Sequence, residues 1–180
     1  MHIQVQVREN LTMRTRNIEE APQIFEVIAK NRDYLREWLL WVDSTTLDTI
    51  ELSIKNSIEK TEHGTDLSMG IYLNENYIGN IGVHNINKMS NSAQIGYWLD
   101  PKWQGKGIMT DCVRALTTYC FNELNLNSVH ISCADANKKS RAVPERLNFV
   151  QEGVLQECMN YHGILYDEVI YGILKRNWKG

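Results

Sequence analysis

Basic charge is in short supply. Nineteen Lys and Arg stand against twenty-two Asp and Glu across 180 residues, a net charge of −3 with histidine neutral. The electrostatic footprint of a nucleic-acid binder is therefore missing, while the mild acidity leaves room for a cationic partner. Long apolar runs are missing too. No stretch approaches the ~20 residues that a membrane-spanning helix needs, and the alternating, polar opening "MHIQVQVREN" is unlike a signal peptide. The four cysteines, Cys112, Cys120, Cys133 and Cys158, form no C-x-x-C pair and fall in apolar segments. Free buried thiols in a reducing cytosol fit them better than a disulfide framework, with a catalytic cysteine as the lesser alternative. His2, His63, His84, His130 and His162 show no H-E-x-x-H or comparable spacing, so no metal is expected. Together these absences predict a cytoplasmic protein with no direct contact to membrane or nucleic acid.

What is present is ordinary in amount: 43% apolar and 23% charged residues, enough to bury a substantial core at this length. One domain over 1–180, with no linker or repeat, is the default. "IQVQV" and "LTMRT" alternate as short strands. "RNIEEAPQIFEVIAKNRDYLREWLLW" is predicted to be a helix, with Asn17 and Glu20 at capping-box spacing. Ile24, Phe25, Val27, Ile28, Leu35, Trp38 and Leu39 fall at helical intervals along it. "TTLDTIELSIKNSIEKTEHG" is a second amphipathic helix, closing at Gly64. "LSMGIYL" and "YIGNIGVHNI" flank the turn "NEN" as a hairpin, and "SAQIGYWL" is a further strand. A helix from about Ile108 to Glu123, the strand "SVHISCA", the short helix "NKKSRAVPERLNF" and two strands, "VQEGVLQECM" and "YDEVIYGIL", complete a mixed α/β layer fold.

Between the "SAQIGYWL" strand and the helix after it lies Gln104-Gly105-Lys106-Gly107. The Walker pattern is absent, and a G-x-G-x-x-G fingerprint beginning at Gly105 fails at Thr110. The physics of a phosphate cradle still applies. Amides at a helix start are unpaired and carry the positive end of the dipole, and glycines let an anion approach them closely. A tight turn that holds no ligand satisfies the glycines equally well.

The wider context resembles one family. "Q-G-K-G-I-M", following "IGYWLDP", is similar to the Q/R-x-x-G-x-G/A acetyl-CoA motif of the GNAT superfamily of N-acetyltransferases, with Met109 where a small residue is usual. "NKKSRAVPERLNF" resembles the family's N-x-x-S…L-G-F segment, with Asn148 in place of glycine. "NRDYLREWLLWVD" resembles the N-R-x-x-L-R-x-W-L-P-W segment of the RimJ/RimL-type branch, which acetylates the N-termini of ribosomal proteins; Leu40 stands where that branch often has proline. The resemblance runs from Leu11 to Trp178. It implies a central, mostly antiparallel sheet flanked by helices and splayed between two central strands, with acetyl-CoA in the gap. Gln104, Gly105, Lys106, Gly107, Ile108 and Met109 would hold the pyrophosphate, mainly through main chain, leaving Lys106 as a solvated charge. Ile95, Tyr97, Trp98 and Leu99 would offer edge groups to the pantetheine arm and an N–H to the thioester oxygen.

The resemblance also implies direct attack of an amine on the thioester in a ternary complex. Ser140 would donate to the departing sulfur, and Asn137 would either contact the cofactor or cap its helix. Tyr171 is a further, weaker candidate near the sulfur. For the base, Glu157 ranks before His84 and Glu168, although Glu157 could equally be a solvated strand residue and Met159 could occupy the matching position. Trp38 and Trp41, three residues apart, would share a helix face, with Trp38 packing and Trp41 nearer the acceptor, and with His84 on the substrate side. An α-amine of pKa about 7.7–8.0 is neutral far more often near pH 7 than a lysine amine at about 10.4. A chain without an evident strong base thus suits a protein N-terminus. A small amine such as a polyamine or antibiotic is the rival acceptor, a CoA-binding module without turnover is the rival class, and a homo-oligomer is compatible with either.

Overall fold

The computed structural model describes residues 2–180. Its elements in chain order are β1 (Gln4–Arg8), β2 (Leu11–Thr15), α1 (Ala21–Lys30), α2 (Arg32–Leu35), α3 (Leu47–His63), β3 (Leu67–Leu73), β4 (Asn76–Asn87), β5 (Ser92–Leu99), α4 (Ile108–Asn122), β6 (Ser128–Ala134), α5 (Lys138–Arg146), β7 (Val150–Tyr161) and β8 (Ile164–Leu174). The local signals act where the sequence puts them. Asn17 and Glu20 form a reciprocal capping box ahead of α1. Thr46 caps α3 by accepting from the Thr49 amide, and Gly64 ends that helix at φ +67, in the left-handed region. Asn74 and Glu75 both take positive φ between β3 and β4, the turn whose twist matches that of the strands it joins.

The first predicted helix is the exception. Instead of running through to Trp41 it breaks at Asn31, whose backbone leaves the helical region and whose Nδ2 donates to Val27 O at 2.8 Å. The Arg32 guanidinium then donates to the carbonyls of Val42, Asp43 and Thr45. Those contacts fold Leu40–Ser44 back as a separate 3-10 turn. Trp38 and Trp41 therefore do not share a helix face.

The eight strands form one sheet in the order β1-β2-β3-β4-β5-β6-β8-β7. Every neighbouring pair is antiparallel except β5 and β6, which run parallel. That parallel pairing covers only Ser92–Gln94 against Ser128–His130. Beyond it Ile95–Leu99 stays paired to β4, Ile131–Ala134 stays paired to β8, and the two strands separate. Apolar residues fill both faces of the sheet. Ile108, Cys112, Leu116, Cys120 and Phe121 of α4 pack on one, in a cluster that also takes in Val143 of α5. Ile24 and Ile28 of α1, with Ile50 and Ile54 of α3, pack on Tyr72 and Tyr77 on the other. Splitting a sheet leaves main-chain groups without partners, so the fold tolerates the split only where something else can meet them.

Candidate active site

A cleft of about 970 Å³ opens where β5 and β6 diverge. Ile95 to Leu99 line one side and Ile131 to Ala134 the other. Successive main-chain groups of a strand point alternately to its two neighbours. Half of those on Ile95–Leu99 bond β4, and the other half face the cleft with no strand to pair.

The cleft runs on to the start of α4. Gly105 and Gly107 sit at φ +73 and +75, a conformation that strains any side chain, and a Cβ at either would meet nothing within 4 Å. Glycine is thus favoured by the backbone and leaves open space in front of it. Gly107 is the N-cap, with no side-chain cap. The first amide of the helix to find a main-chain acceptor is that of Asp111, bonded to Gly107 O at 3.0 Å. The amides before it belong to the unpaired first turn of a 15-residue helix, where the dipole is positive. Lys139 and Arg146 add cationic side chains to the cleft wall; among the described lining residues Asp111 is the one carboxylate, and it is paired with Arg8 at 3.3 Å.

Gln104 braces this turn. Its Nε2 donates to Leu99 O at 3.3 Å, and its Oε1 accepts from the Tyr34 hydroxyl at 2.8 Å and from Lys139 Nζ at 3.3 Å. Lys139 also donates to the Tyr34 oxygen at 3.1 Å. Three distant segments, α2, the glycine turn and α5, are clasped at one point. Lys106 is exposed, with its Nζ 4.6 Å from the centre of the Trp103 ring, and does not line the cleft.

Deeper in, α5 supplies Asn137 and Ser140. Asn137 caps α5, its Oδ1 accepting from the Ser140 amide at 3.1 Å, and it also lines the cleft. The Tyr97 hydroxyl reaches across from β5, donating to Ser140 O at 3.0 Å and standing 3.4 Å from Ser140 Oγ. Burial pushes the Tyr97 hydroxyl well above its ordinary pKa, so it keeps its proton. Burial likewise raises the neighbouring Cys133 thiol, against the pull of a hydrogen bond with Ser140.

Ile95, Tyr97, Trp98, Leu99, Gln104, Gly105, Gly107, Ile108, Met109, Asn137, Ser140 and Trp38 thus come together around one space. Six sequence candidates do not: Lys106, exposed beside Trp103, and the five that follow. Glu157 sits at φ +49 in a bulge between Leu155 and Met159, exposed, its amide donating to Asp167 Oδ1 at 2.9 Å; the bulge turns Met159 into the cleft instead. Glu168 lies 3.6 Å from Cys158 Sγ, outside the lining. The Tyr171 hydroxyl donates to Glu145 at 2.6 Å and accepts from Arg141 Nε at 2.9 Å, behind the cleft. Trp41 is 45% exposed, its ring 6.4 Å from that of Trp98, whereas Trp38 lines the cleft and packs edge-on to Tyr161 and Tyr166. The expected order of these two tryptophans is reversed, because the chain turns between them. His84 lies off the lining, paired with Asp66. Sequence reasoning missed Tyr34, Lys139, Tyr161 and the Tyr97 hydroxyl. Lys139, one residue before Ser140, and Tyr34, inside "NRDYLREWLLWVD", stood in segments already singled out; no local pattern marks Tyr161 or the reach of the Tyr97 hydroxyl.

The sequence matches the model of the acetyltransferase (GNAT) domain over residues 10–150. It is 36% identical to YdaF of Bacillus subtilis (strain 168), named provisionally as a ribosomal N-acetyltransferase, over 97% of this chain and 96% of that one. It is 25% identical to the ribosomal-protein-serine acetyltransferase of Escherichia coli (strain K12), over 92% of each. Among solved structures, RimL, a ribosomal L7/L12 alpha-N-protein acetyltransferase in complex with coenzyme A, superposes with a TM-score of 0.92 at 25% identity, covering 96% of this chain and 98% of that one.

Proposed function

The chain belongs to the GNAT acetyltransferase family, and from that premise we propose that it moves the acetyl group of acetyl-CoA onto the N-terminal α-amine of a protein, a ribosomal one. The observation that carries the reading is the cleft itself. It has a glycine-lined helix start at one end, an unpaired strand edge along its side and a protonated Tyr97 beside Ser140 within it. Open space in front of Gly105 and Gly107 fits a pyrophosphate held by main-chain N–H groups. The free edge of Ile95–Leu99 fits an amide-bearing arm that adds to the sheet like a strand.

Acetyl-CoA supplies an acetyl group already activated as a thioester. The chain's task is to place and polarise it. A main-chain N–H on the free edge of β5, aimed at developing oxyanion charge, contributes typically about 2.7–4 kcal/mol. Ser140 Oγ and the Tyr97 hydroxyl are the proton donors at hand for a departing sulfur. Trp38, Trp98, Met159 and Tyr161 make an apolar wall that could receive the first residues of a peptide.

The α-amine is favoured over lysine on two grounds. The relatives at 36% and 25% identity bear ribosomal-protein names. The described cleft lining also offers no carboxylate free to strip a proton from an amine of pKa about 10.4. The test is incubation of the purified chain with isotopically labelled acetyl-CoA and ribosomal proteins, followed by mass spectrometry of N-terminal peptides. Label on an α-amine is the expected outcome. Label confined to a polyamine or aminoglycoside added in parallel would move the assignment to small amines.

A further inference from the structure

An acetyl acceptor arrives as an ammonium, and something must take its proton. The face of the sheet beside the cleft carries a pair placed for that task. On β4, Asn80, Gly82 and His84 point to one face, as every second residue of a strand does. In register on β5 stand Trp98, Gly96 and Gln94. Trp98 and Gly96 line the cleft, so His84 shares a face with cleft residues one step away.

Gly82 and Gly96 lie directly opposite each other, and the His84 ring covers the bare patch they make. A Cβ at Gly82 would meet His84 Nε2 at 3.0 Å, and one at Gly96 would meet the same ring at 3.5 Å. Behind the ring, Asp66 Oδ1 is 3.1 Å from Nδ1. Against a carboxylate that can only accept, Nδ1 is the donor, and in the neutral imidazole Nε2 then presents its lone pair over Gly82 and Gly96. Gln94, opposite His84, is neutral, and the Arg16 guanidinium on the same face donates to Ser68 Oγ at 3.1 Å. Nearby on the same face, Asn80 Oδ1 is buried and finds no hydrogen-bond partner among the described residues. The imidazole lone pair over the bare glycine patch suits a donor, an ammonium or the water that relays its proton.

We propose that the Asp66–His84 pair is the proton-accepting site for the acceptor amine, reached from the cleft across Gly96. This rests on the acetyltransfer reading above. The ammonium gives one proton to Nε2, directly or through a water. The neutral amine then forms the C–N bond as the C–S bond breaks, its second surplus proton ends on the thiolate, and His84, its side chain 41% exposed, returns its own proton to solvent. Asp66 is a positioning residue that fixes the tautomer; His84 is the group that takes the proton.

The experiment compares wild type, His84→Ala and His84→Gln on a peptide with a free α-amine; the glutamine variant keeps an amide against Asp66 but takes up no proton. At about pH 7 both variants should lose about tenfold in kcat/KM, the factor by which the α-amine is held as ammonium there, with acetyl-CoA affinity unchanged. The loss should shrink above about pH 8, where the α-amine is neutral unaided. Added imidazole should restore turnover in the alanine variant. Variants within about twofold of wild type, or a loss that is constant with pH and indifferent to imidazole, would overturn the proposal while leaving acetyltransfer intact. A wild-type protein that binds acetyl-CoA and acetylates no amine would overturn the acetyltransfer reading, and this site with it.

Discussion

On the β5–α4 side of the cleft, Ile95 to Gly107 meets the open space largely with main chain: a free strand edge, then two left-handed glycines and a bare helix start. On the other side Trp38, Met159 and Tyr161 meet it with side chains drawn from segments far apart in sequence. The first wall depends on what the backbone does within thirteen consecutive residues. The second depends on how a broken helix and a bulged hairpin pack together. A cofactor common to a whole family suits the first kind of wall, because main-chain recognition survives drift in side chains. An acceptor that differs between relatives suits the second, where one bulge exchanges Glu157 for Met159.

The largest effect should appear where the two walls meet. Ser140→Ala removes one of two adjacent proton donors and is expected to lower kcat about tenfold to a hundredfold, with acetyl-CoA affinity nearly unchanged by calorimetry. Next comes the main-chain wall. Gly107→Val places a branched side chain at φ +75, in the space left for phosphate, and should weaken acetyl-CoA binding at least tenfold, about 1.4 kcal/mol. Lys106→Ala, at an exposed neighbour, should leave binding within about twofold, since exposed charges contribute little. That contrast would fail if the lysine rather than the backbone held the phosphates.

The side-chain wall gives smaller, selective effects. Trp38→Ala should raise the peptide KM about fivefold and leave that for acetyl-CoA alone, while Trp41→Ala should change either by less than about twofold. The smallest effect lies behind the cleft. Tyr171→Phe removes a hydroxyl bonded to Glu145 and Arg141 and should cost about 1 kcal/mol of stability, a few degrees in Tm, with kcat intact.

The same contrast explains what could be read in advance. Strands such as Leu67–Leu73 and Ser92–Leu99, the glycine turn and the Gly64 helix end are local patterns, and the family resemblance supplied the splay of β5 from β6. The end of α1 was hidden because Arg32 caps carbonyls ten and more residues ahead, a tertiary contact with no period. Glu157 was misplaced because alternation along β7 cannot reveal a bulge. Tyr97 was marked for its backbone, yet its hydroxyl reaches Ser140 forty-three residues on.

The central claim is that the cleft delivers an acetyl group to a protein's α-amine. Its most direct test is one peptide carrying both a free N-terminus and an internal lysine, incubated with the chain and labelled acetyl-CoA and read by fragment mass spectrometry. The account predicts label on the α-amine, at a rate that climbs until about pH 8. Label mainly on the lysine would contradict it.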